Sequence, residues 1–396
     1  MVYIKSSIIA TGLLVSLFSF AQTPASIDVG GFDLYPSLNA TFGHDDNLLR
    51  SDDSEVESWM SVLSPELILV NSYGLNEFQI GYRLERGDYY SSQADDYTDH
   101  LFNASANLEF DVRNRLEVLA IYMDDHDERG TNFTIGRGDS IETPDQFKQS
   151  RIEATYSYGA PSATGRLDLM AGYSSVDYDI NTDLYRTRDR KTNTLAGTFF
   201  YNIMPATDLT LDVIYNDIDY DFAIDPTAPL DSEEVRTLVG VEWDTTAKTS
   251  GYVKIGHRQK EFDDGDRADF SGLDWLIGVT WNPRTYSTLD FTTFTTTNET
   301  NGEGDFIDRQ TYQLTWDHKW QDRVSTSFEA IYSEDEYTGA NSTRVDDNTT
   351  ISFFVNYTAR RYLTFNAGYT FDQRNSNQSV IDFSRNVVSV GLTVTL

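Results

Sequence analysis

Apolar and polar residues alternate along most of the chain, from Asp33 to Leu396. Between Phe102 and Phe110, every second residue is apolar and the residues between them are polar. The same alternation occurs at residues 78–85, 273–281, 363–371 and 388–396. A period of two puts successive side chains on opposite faces of a β-strand, whereas a helix would need a period near 3.6. The pattern therefore predicts an all-β protein.

Short turns and long polar loops alternate between the predicted strands. Short turns are expected near residues 71–74, 111–114, 159–165, 203–206, 245–250, 282–284, 319–323 and 358–361. Longer polar loops are expected near residues 45–54, 86–97, 124–146, 177–191, 218–233, 261–269, 297–308, 333–347 and 373–381. This spacing predicts a single antiparallel up-and-down barrel of about 18 strands, with both termini at the short-turn end. Bacterial outer-membrane barrels have this arrangement, with short periplasmic turns and long external loops.

Strand length distinguishes this prediction from a soluble β-sandwich or propeller, which also contains many alternating strands. The alternating runs span about 10 to 14 residues, whereas soluble strands average about 5 to 6 and tilted membrane strands need about 9 to 11. A barrel of 16 to 18 strands is too wide for side chains to fill, so its interior is wet and its apolar face meets lipid. We expect Trp243, Trp281, Trp316 and Trp320, near the short turns, to form part of an aromatic girdle.

Two prolines conflict with this pattern, because Pro36 and Pro65 fall inside the first two predicted strands. Proline cannot donate a hydrogen bond to a strand ladder. We expect a bulge or a frayed register at both positions, near the periplasmic rim.

The first 21 residues have the features of a cleaved secretory signal peptide. Lys5 precedes an apolar stretch from Ile8 to Phe20, and small residues at Ser19 and Ala21 suit signal-peptidase cleavage before Gln22. The alternative, a membrane-anchoring helix, would need about 20 apolar residues. The sequence thus predicts a signal peptide at 1–21, a short periplasmic segment at 22–31 and an outer-membrane barrel at 32–396.

Composition narrows the possible partners. The formal net charge of −33 excludes a nucleic-acid surface, which requires clustered Lys and Arg. The chain has no cysteine, so disulfides cannot stabilise it. We expect contact with outer-membrane lipid and lipopolysaccharide, and folding through the barrel-assembly machinery.

The sequence contains no recognisable catalytic or metal-binding motif. None of the five histidines has metal-ligand spacing to another, and there is no Gly-x-Ser-x-Gly elbow. His100 and His126 lie beside aspartates, which is compatible with a hydrolytic Asp–His pair, but a solvated acidic loop is the simpler interpretation. We therefore predict no enzyme activity, no catalytic residue, no metal and no cofactor.

Acidic residues concentrate in the predicted loops. Such oxygen clusters can bind Ca²⁺ or Mg²⁺, although none has the ligand order of an EF-hand. The alternative is a solvated, self-repelling rim, which the pattern favours. The acidic segments are Asp45-Asp46, Asp52-Asp53, Asp95-Asp96, Asp124 to Glu128, Asp263 to Asp266 and Asp346-Asp347.

The first third of the mature chain resembles a known family. The segments from Asp33 to Leu38 and from His44 to Arg50 are similar to the opening of the putative β-barrel porin 2 family, and the acidic segments 87–90, 95–100 and 124–130 resemble its loops. The resemblance implies an eighteen-stranded barrel associated with exopolysaccharide or capsule export. It also implies a polysaccharide cargo and a periplasmic polysaccharide-export protein as partner.

The polar face of the strands is the candidate functional surface, because in a wet barrel it would line the lumen. Both charge signs are present, which suits a hydrated polymer or small hydrophilic solutes and argues against strong ion selectivity. The loop at 124–146 is the longest, and it could fold inward as a constriction. The predicted lumen-lining residues are Arg83, Glu85, Asn103, Asn107, Glu109, Arg151, Glu153, Arg166, Asp168, Asp212, Glu242, Lys254, Arg258, Asp317 and Glu329.

Three functions remain open from the sequence. The first is an outer-membrane channel for polysaccharide export, which rests on the resemblance. The second is a general diffusion porin for small hydrophilic solutes, and the third is a surface adhesin or an outer-membrane hydrolase.

Overall fold

A single antiparallel sheet contains every strand of the computed structural model, which describes residues 25–180, 182–225, 227–243, 248–339 and 342–396. The predicted signal peptide lies outside these residues. The strands are β1 (Ile27–Val29), β2 (Phe32–Asp45), β3 (Ser58–Tyr73), β4 (Asn76–Tyr89), β5 (Tyr97–Asp111), β6 (Asn114–Asp127), β7 (Asp145–Tyr158), β8 (Gly165–Tyr178), β9 (Arg190–Met204), β10 (Thr207–Tyr220), β11 (Ser232–Trp243), β12 (Thr249–Phe262), β13 (Phe270–Arg284), β14 (Ser287–Glu299), β15 (Phe306–Gln321), β16 (Val324–Thr338), β17 (Val345–Arg360), β18 (Leu363–Ser376) and β19 (Phe383–Thr395).

Helical structure is confined to the loops. The described residues contain one short helix, α1 (Asp183–Arg186), and 3-10 turns at Gln93–Asp95, Asn132–Thr134, Gly138–Ser140 and Ser379–Ile381. Among the described residues, no helix is long and apolar enough to cross a membrane.

The sheet closes on itself because β19 pairs with β2, from Val387 opposite Asp45 to Thr395 opposite Ser37. Each strand from β2 to β19 is antiparallel to its sequence neighbours, so these eighteen strands form an up-and-down barrel. Short turns join the strands at the end where β2 begins and β19 ends, and long loops join them at the other end. The predicted fold class and strand number are confirmed.

The alternation in the sequence becomes the two faces of the barrel wall. Large apolar side chains point outward and stay exposed, as shown by Leu195 at 59% and Val239 at 54%. Trp281 and Trp320, near the short turns, are also exposed on the outside. Because neighbouring strands pair around the barrel, the backbone groups of the paired segments are satisfied within the wall, so such a surface can lie in hydrocarbon.

The prediction of bulges at the two prolines is wrong, because the register between β2 and β3 runs unbroken through Pro36 and Pro65. Instead, each proline lies where a ladder is interrupted. Pairing between β3 and β4 skips Ser64 and Pro65 without a change of register. Pro36 lies between the last β2 residue that pairs with β19, Ser37, and the first that pairs with β1, Leu34. The missing N–H groups therefore cost no ladder hydrogen bond.

Strand β1 lies in the segment that the sequence predicted to be a short periplasmic arm. It pairs with β2 beyond the point that β19 reaches, from Ile27 opposite Leu34 to Val29 opposite Phe32. Gly30 and Gly31 form the connecting turn with φ of +65° and +92°, which glycine adopts without a steric penalty. The Ala25 N–H donates to the carbonyl of Leu396 at 2.7 Å, so β1 continues the line of β19 at the rim.

The two faces of β5 provide a test of the barrel's orientation in lipid. Replacing the outward-facing Phe102, which is 47% exposed, by Arg should lower the free energy of unfolding by about 2–4 kcal/mol, because the charge would lie in hydrocarbon. The matched control is Asn103→Arg, whose side chain points inward and should change stability by less than about 1 kcal/mol. Reversible denaturant unfolding in lipid vesicles measures both. Equal losses would contradict the assignment of the two faces.

Candidate functional site

The fifteen residues predicted to line the lumen lie on the face opposite the exposed apolar side chains. In the first half of the barrel, Glu85 accepts hydrogen bonds from Tyr97 and Ser64, both at 3.0 Å. In the second half, Gln313 donates to Glu329 at 2.7 Å. Whether any of the fifteen contacts a transported molecule remains a prediction.

Charged residues on the inner wall pair locally with the opposite sign. Arg151 donates to Glu153 at 2.8 Å, Arg166 to Asp208 at 2.6 Å, and Lys254 lies 2.9 Å from Asp212. Arg166 also lies over the ring of Phe200, 4.8 Å from its centre. On this part of the wall, each of these cations therefore has a carboxylate as its neighbour.

Several predicted lining residues are not accessible in this structure. Asp212, Lys254 and Arg258 are 4%, 3% and 0% exposed. All three face inward, so an open, water-filled lumen would leave them wet. Arg258 is buried because another part of the wall lies against it.

The covering element is the upper part of the β14–β15 hairpin. Strand β14 pairs with β13 from Trp281 opposite Leu289 up to Leu276 opposite Phe294, and no further. It continues to pair with β15 as far as Glu299 opposite Phe306. Above Phe294, therefore, β14 separates from β13 but stays paired with β15, and β15 stays paired with β16 up to Phe306 opposite Thr338.

Hydrogen bonds show that the hairpin folds into the lumen and lies on the inner wall of β10 to β13. Thr297 donates to Glu234 of β11. Glu299 accepts from Lys260 of β12 and from Tyr220 of β10, both at 2.7 Å. The hairpin thus crosses three strands of the wall from inside.

Two further contacts complete the interface between hairpin and wall. Thr295 donates to Asp274 at 2.8 Å, and Arg236 holds the same carboxylate with bonds of 2.7 and 2.9 Å. Arg258 donates to Asp308 of β15 at 2.5 Å. This side of the external half of the lumen is filled by paired polar groups.

The loop of residues 46–57 and the loop of residues 128–144 close another sector of the same end. Arg50 of the first loop donates to Glu128 of the second, and Arg385 of β19 donates to Asp45 at 2.8 Å. The two loops touch closely at Gly130, where an added Cβ would lie 2.1 Å from the carbonyl oxygen of Leu49. Gly130 also has φ of +81°, so only glycine suits this contact.

Arg188 ties the 128–144 loop to the loop that carries α1. It is 3% exposed and donates to Asp145 at 2.7 Å. Its guanidinium lies 4.0 Å from the ring centre of Phe133 and 3.9 Å from that of Tyr185, which are favourable cation–π geometries.

The same end is bridged from the opposite wall. An added Cβ at Gly136 would lie 2.5 Å from Ile381 in the β18–β19 loop, so the 128–144 loop reaches that far. Glu303, at the tip of the β14–β15 hairpin, accepts from Arg344 at 3.1 Å and from Gln378 at 2.9 Å. Contacts among loops from several hairpins therefore narrow the long-loop end.

The other half of the lumen contains open space. A cavity of about 1800 Å³ lies at the short-turn end between β14 and β19. Asp317 and Glu329, both predicted lining residues, face it. The barrel is thus wide at the short-turn end and obstructed at the long-loop end. Polar side chains around the cavity include Asp290, Asp317, Glu329, Ser352, Asn356 and Asn366.

A comparison with protein families identifies the chain. The model of the family described as putative beta-barrel porin 2 matches residues 21–396. The chain belongs to the putative beta-barrel porin 2 family. The resemblance drawn from the sequence is confirmed, and membership supports an outer-membrane location and a porin-like barrel. A search of curated proteins found no match.

Several solved structures are similar to this porin 2 barrel at low sequence identity. The outer membrane protein opdK from Pseudomonas aeruginosa is 12% identical with a TM-score of 0.49, covering 92% of this chain and 99% of that one. OpdL from the same organism is 11% identical with a TM-score of 0.48, covering 93% and 100%. The FrpB iron transporter from Neisseria meningitidis (F3-3 variant) is 12% identical with a TM-score of 0.45. That match covers 86% of this chain and 62% of FrpB, so the porin 2 chain spans less than two thirds of that protein.

One histidine of the porin 2 barrel lies among carboxylates. The Nδ1 atom of His126 is 3.1 Å from both carboxylate oxygens of Asp99, and Asp125 lies 3.8 Å from it. Tyr97 stacks on the imidazole with ring centres 4.2 Å apart. Since Asp99 already occupies Nδ1, the geometry is that of an ion pair built into the wall. His100, in contrast, bonds to the Tyr82 hydroxyl at 2.9 Å.

The prediction of a solvated acidic rim is wrong for part of the loops. Asp45, Asp95 and Asp346 are at most 6% exposed, and each accepts from an arginine, whereas Asp52 and Asp53 are exposed as predicted. The sequence offered one signal, an arginine within or beside most acidic loops. It could not show which arginine meets which carboxylate.

Glu128 makes the closure of the porin 2 barrel sensitive to acid. The Arg50 guanidinium lowers the pKa of Glu128 to about 2, from an ordinary value of 4.5, and Arg385 adds to this effect. A carboxylate with a depressed pKa stabilises the folded arrangement above its ordinary pKa, and this contribution is lost as pH falls from about 4.5 to about 2. Because Glu128 is 40% exposed, we expect about 1 kcal/mol at most.

Hydrogen exchange of residues 128–144, corrected for intrinsic rates, measures this effect. Protection should fall between pH 5 and pH 2.5 in the parent protein, and Glu128→Gln should be less protected at pH 5 and show little further loss. The control is Glu142→Gln, an exposed residue of the same loop. Identical pH profiles for parent and Glu128→Gln would exclude Glu128 as the acid-sensitive contact.

Removing Arg188 should open the same loop. Arg188→Met leaves the buried carboxylate of Asp145 with the Tyr185 hydroxyl but without a cation, which costs about 3–5 kcal/mol and should speed chymotrypsin cleavage after Phe133. The matched control is Arg186→Met, two residues away, because Arg186 is 46% exposed. Equal cleavage rates in both variants would show that Arg188 does not hold the loop.

Proposed function

We propose that this protein is an outer-membrane channel for small hydrophilic solutes, with an external end that is narrow in the conformation described. One observation carries the proposal. The inward-facing residues Asp45, Arg258, Lys260 and Asp346 are 0% exposed in the external half of a barrel whose strand number would otherwise leave a wide, wet lumen. A solute therefore has to pass through the space that these buried contacts leave in the external half of the lumen.

The inner wall supports weak selection by charge. Pairs such as Arg151 with Glu153 and Arg166 with Asp208 cancel each other's fields locally. A wall of this kind offers hydrogen-bond partners to hydrated solutes without holding one sign strongly. Selection by size is therefore the main expectation.

Polysaccharide export is the second candidate, favoured by the residues that resemble the export-associated barrels. A hydrated polymer would require both the β14–β15 hairpin and the loop contacts at Glu128 and Arg188 to move aside. In that case a periplasmic export protein is the proposed partner that drives the opening. Contact with lipopolysaccharide and folding by the barrel-assembly machinery are proposed under either function.

Proteoliposome swelling tests the preferred function. Neutral sugars of increasing size should enter at rates that fall steeply with size, and a polysaccharide should be retained. In planar bilayers, the permeability ratio of K⁺ to Cl⁻ should stay within about threefold of unity.

Liposomes with heat-unfolded protein provide the control. Retention of the smallest sugar would rule out the small-solute channel. Passage of the polymer by the pure protein, or loss of secreted polysaccharide on gene deletion with normal solute uptake, would favour export instead.

A further inference from the structure

The seam between β13 and β14 is the place where the barrel wall is incomplete. Because β14 leaves at Phe294, the segment of β13 from Phe270 to Trp275 has no strand partner on that side. At the start of the gap, the Trp275 N–H reaches only the side-chain hydroxyl of Thr295, at 3.4 Å. An unpaired strand edge is unfavourable in a membrane barrel, since lipid offers no hydrogen bonds.

The register of the lower seam defines a second position for the hairpin. Trp281 pairs with Leu289 and Leu276 with Phe294, so continued zipping would place Thr295 opposite Trp275 and Thr297 opposite Leu273. Leu273 is 60% exposed on the outside of the barrel. In the structure, however, Thr297 bonds to Glu234 on the inside. Thr297 therefore has two distinct neighbours in the two positions.

Buried polar groups make the inward position costly. Arg258 is 0% exposed, yet its Nε and Nη1 atoms have no hydrogen-bond partner, and neither does the hydroxyl of Ser232. Buried donors without partners are destabilising. If the hairpin zipped onto β13, these groups would face the water-filled lumen and be hydrated. Zipping the hairpin onto β13 would therefore pair the free edge of β13 and hydrate the unpaired groups of Arg258 and Ser232.

The inward position has compensating contacts. The bonds of Glu299 to Lys260 and of Asp308 to Arg258 exist only while the hairpin lies on the wall. Thr295 adds a hydrogen bond to Asp274, a wall residue whose carboxylate also pairs with Arg236. The cost of the unpaired buried groups and the stabilisation from these contacts oppose each other, which allows two positions of the hairpin with similar free energy.

We propose that the upper β14–β15 hairpin is a gate formed by the barrel wall itself. Folded inward, it obstructs the external half of the lumen. Zipped onto β13 in the register of the lower seam, it completes the wall and exposes a mixed-charge surface formed by Glu234, Arg236, Arg258 and Lys260 to the passing solute. This inference rests on the proposed channel function and identifies the element that controls it.

Paired cysteines test the two positions, and the chain has no cysteine of its own. Glu234→Cys with Thr297→Cys reports the inward position. Leu273→Cys with Thr297→Cys reports the zipped position. The control pair is Ile255→Cys with Thr297→Cys, because Ile255 lies on the outer face of β12, one strand beyond β13. All three variants share Thr297→Cys, so the effect of that change alone cancels.

Disulfide yield on oxidation and conductance before and after reduction are the two readouts. We expect both reporter pairs to cross-link well above the control pair. The inward disulfide should hold conductance low until it is reduced. The zipped disulfide should raise conductance at least about fivefold above the reduced protein.

Two results would overturn the gate. One is a yield for the Leu273–Thr297 pair no higher than that of the control pair. The other is a zipped disulfide that leaves conductance unchanged. If both disulfides form and no state of the protein conducts, the channel function fails while the movement of the hairpin stands. The two proposals therefore fail on different measurements.

Discussion

The closed ladder of backbone hydrogen bonds is the constraint on which the rest of this structure depends. Hydrocarbon offers no partner for an N–H or a carbonyl, so the strands must pair with each other all the way round, from β2 to β19. Even Pro36 and Pro65, inside β2 and β3, lie where a ladder is interrupted. The seam above Phe294 is the clearest departure in the described wall, and the gate is proposed there for that reason.

Because the backbone groups pair within the wall, the polar groups that still need partners are the side chains that face the lumen. In the external half of the barrel, arginine–carboxylate pairs join the loops and the β14–β15 hairpin to the wall and to each other. Buried pairs of this type are sensitive to the loss of one partner, since the remaining charge has no solvent. The external end is consequently held by specific contacts, such as Arg188 with Asp145, that can be broken one at a time.

Sequence reasoning succeeded where the relevant interaction was local. The two-residue period around Phe102, and the alternation of short turns with long loops, predicted the strands, their number and the two faces of the wall. It failed where partners lie far apart in the chain. Thr297 and Glu234 are 63 residues apart, and Asp45 and Arg385 are 340 apart, so no pattern within either segment indicates the contact. The aspartates of the loops therefore looked solvated although several are buried.

The sequence by itself determined which side chains can face lipid and which must face the interior, because a strand's period of two depends only on neighbouring residues. It also determined the family, through residues of the first third of the mature chain. Only the tertiary structure decided that the external half of the lumen is filled and that β14 leaves β13 at Phe294. Those outcomes depend on a balance between completing a ladder and satisfying buried charges, and that balance exists only once distant strands are brought together.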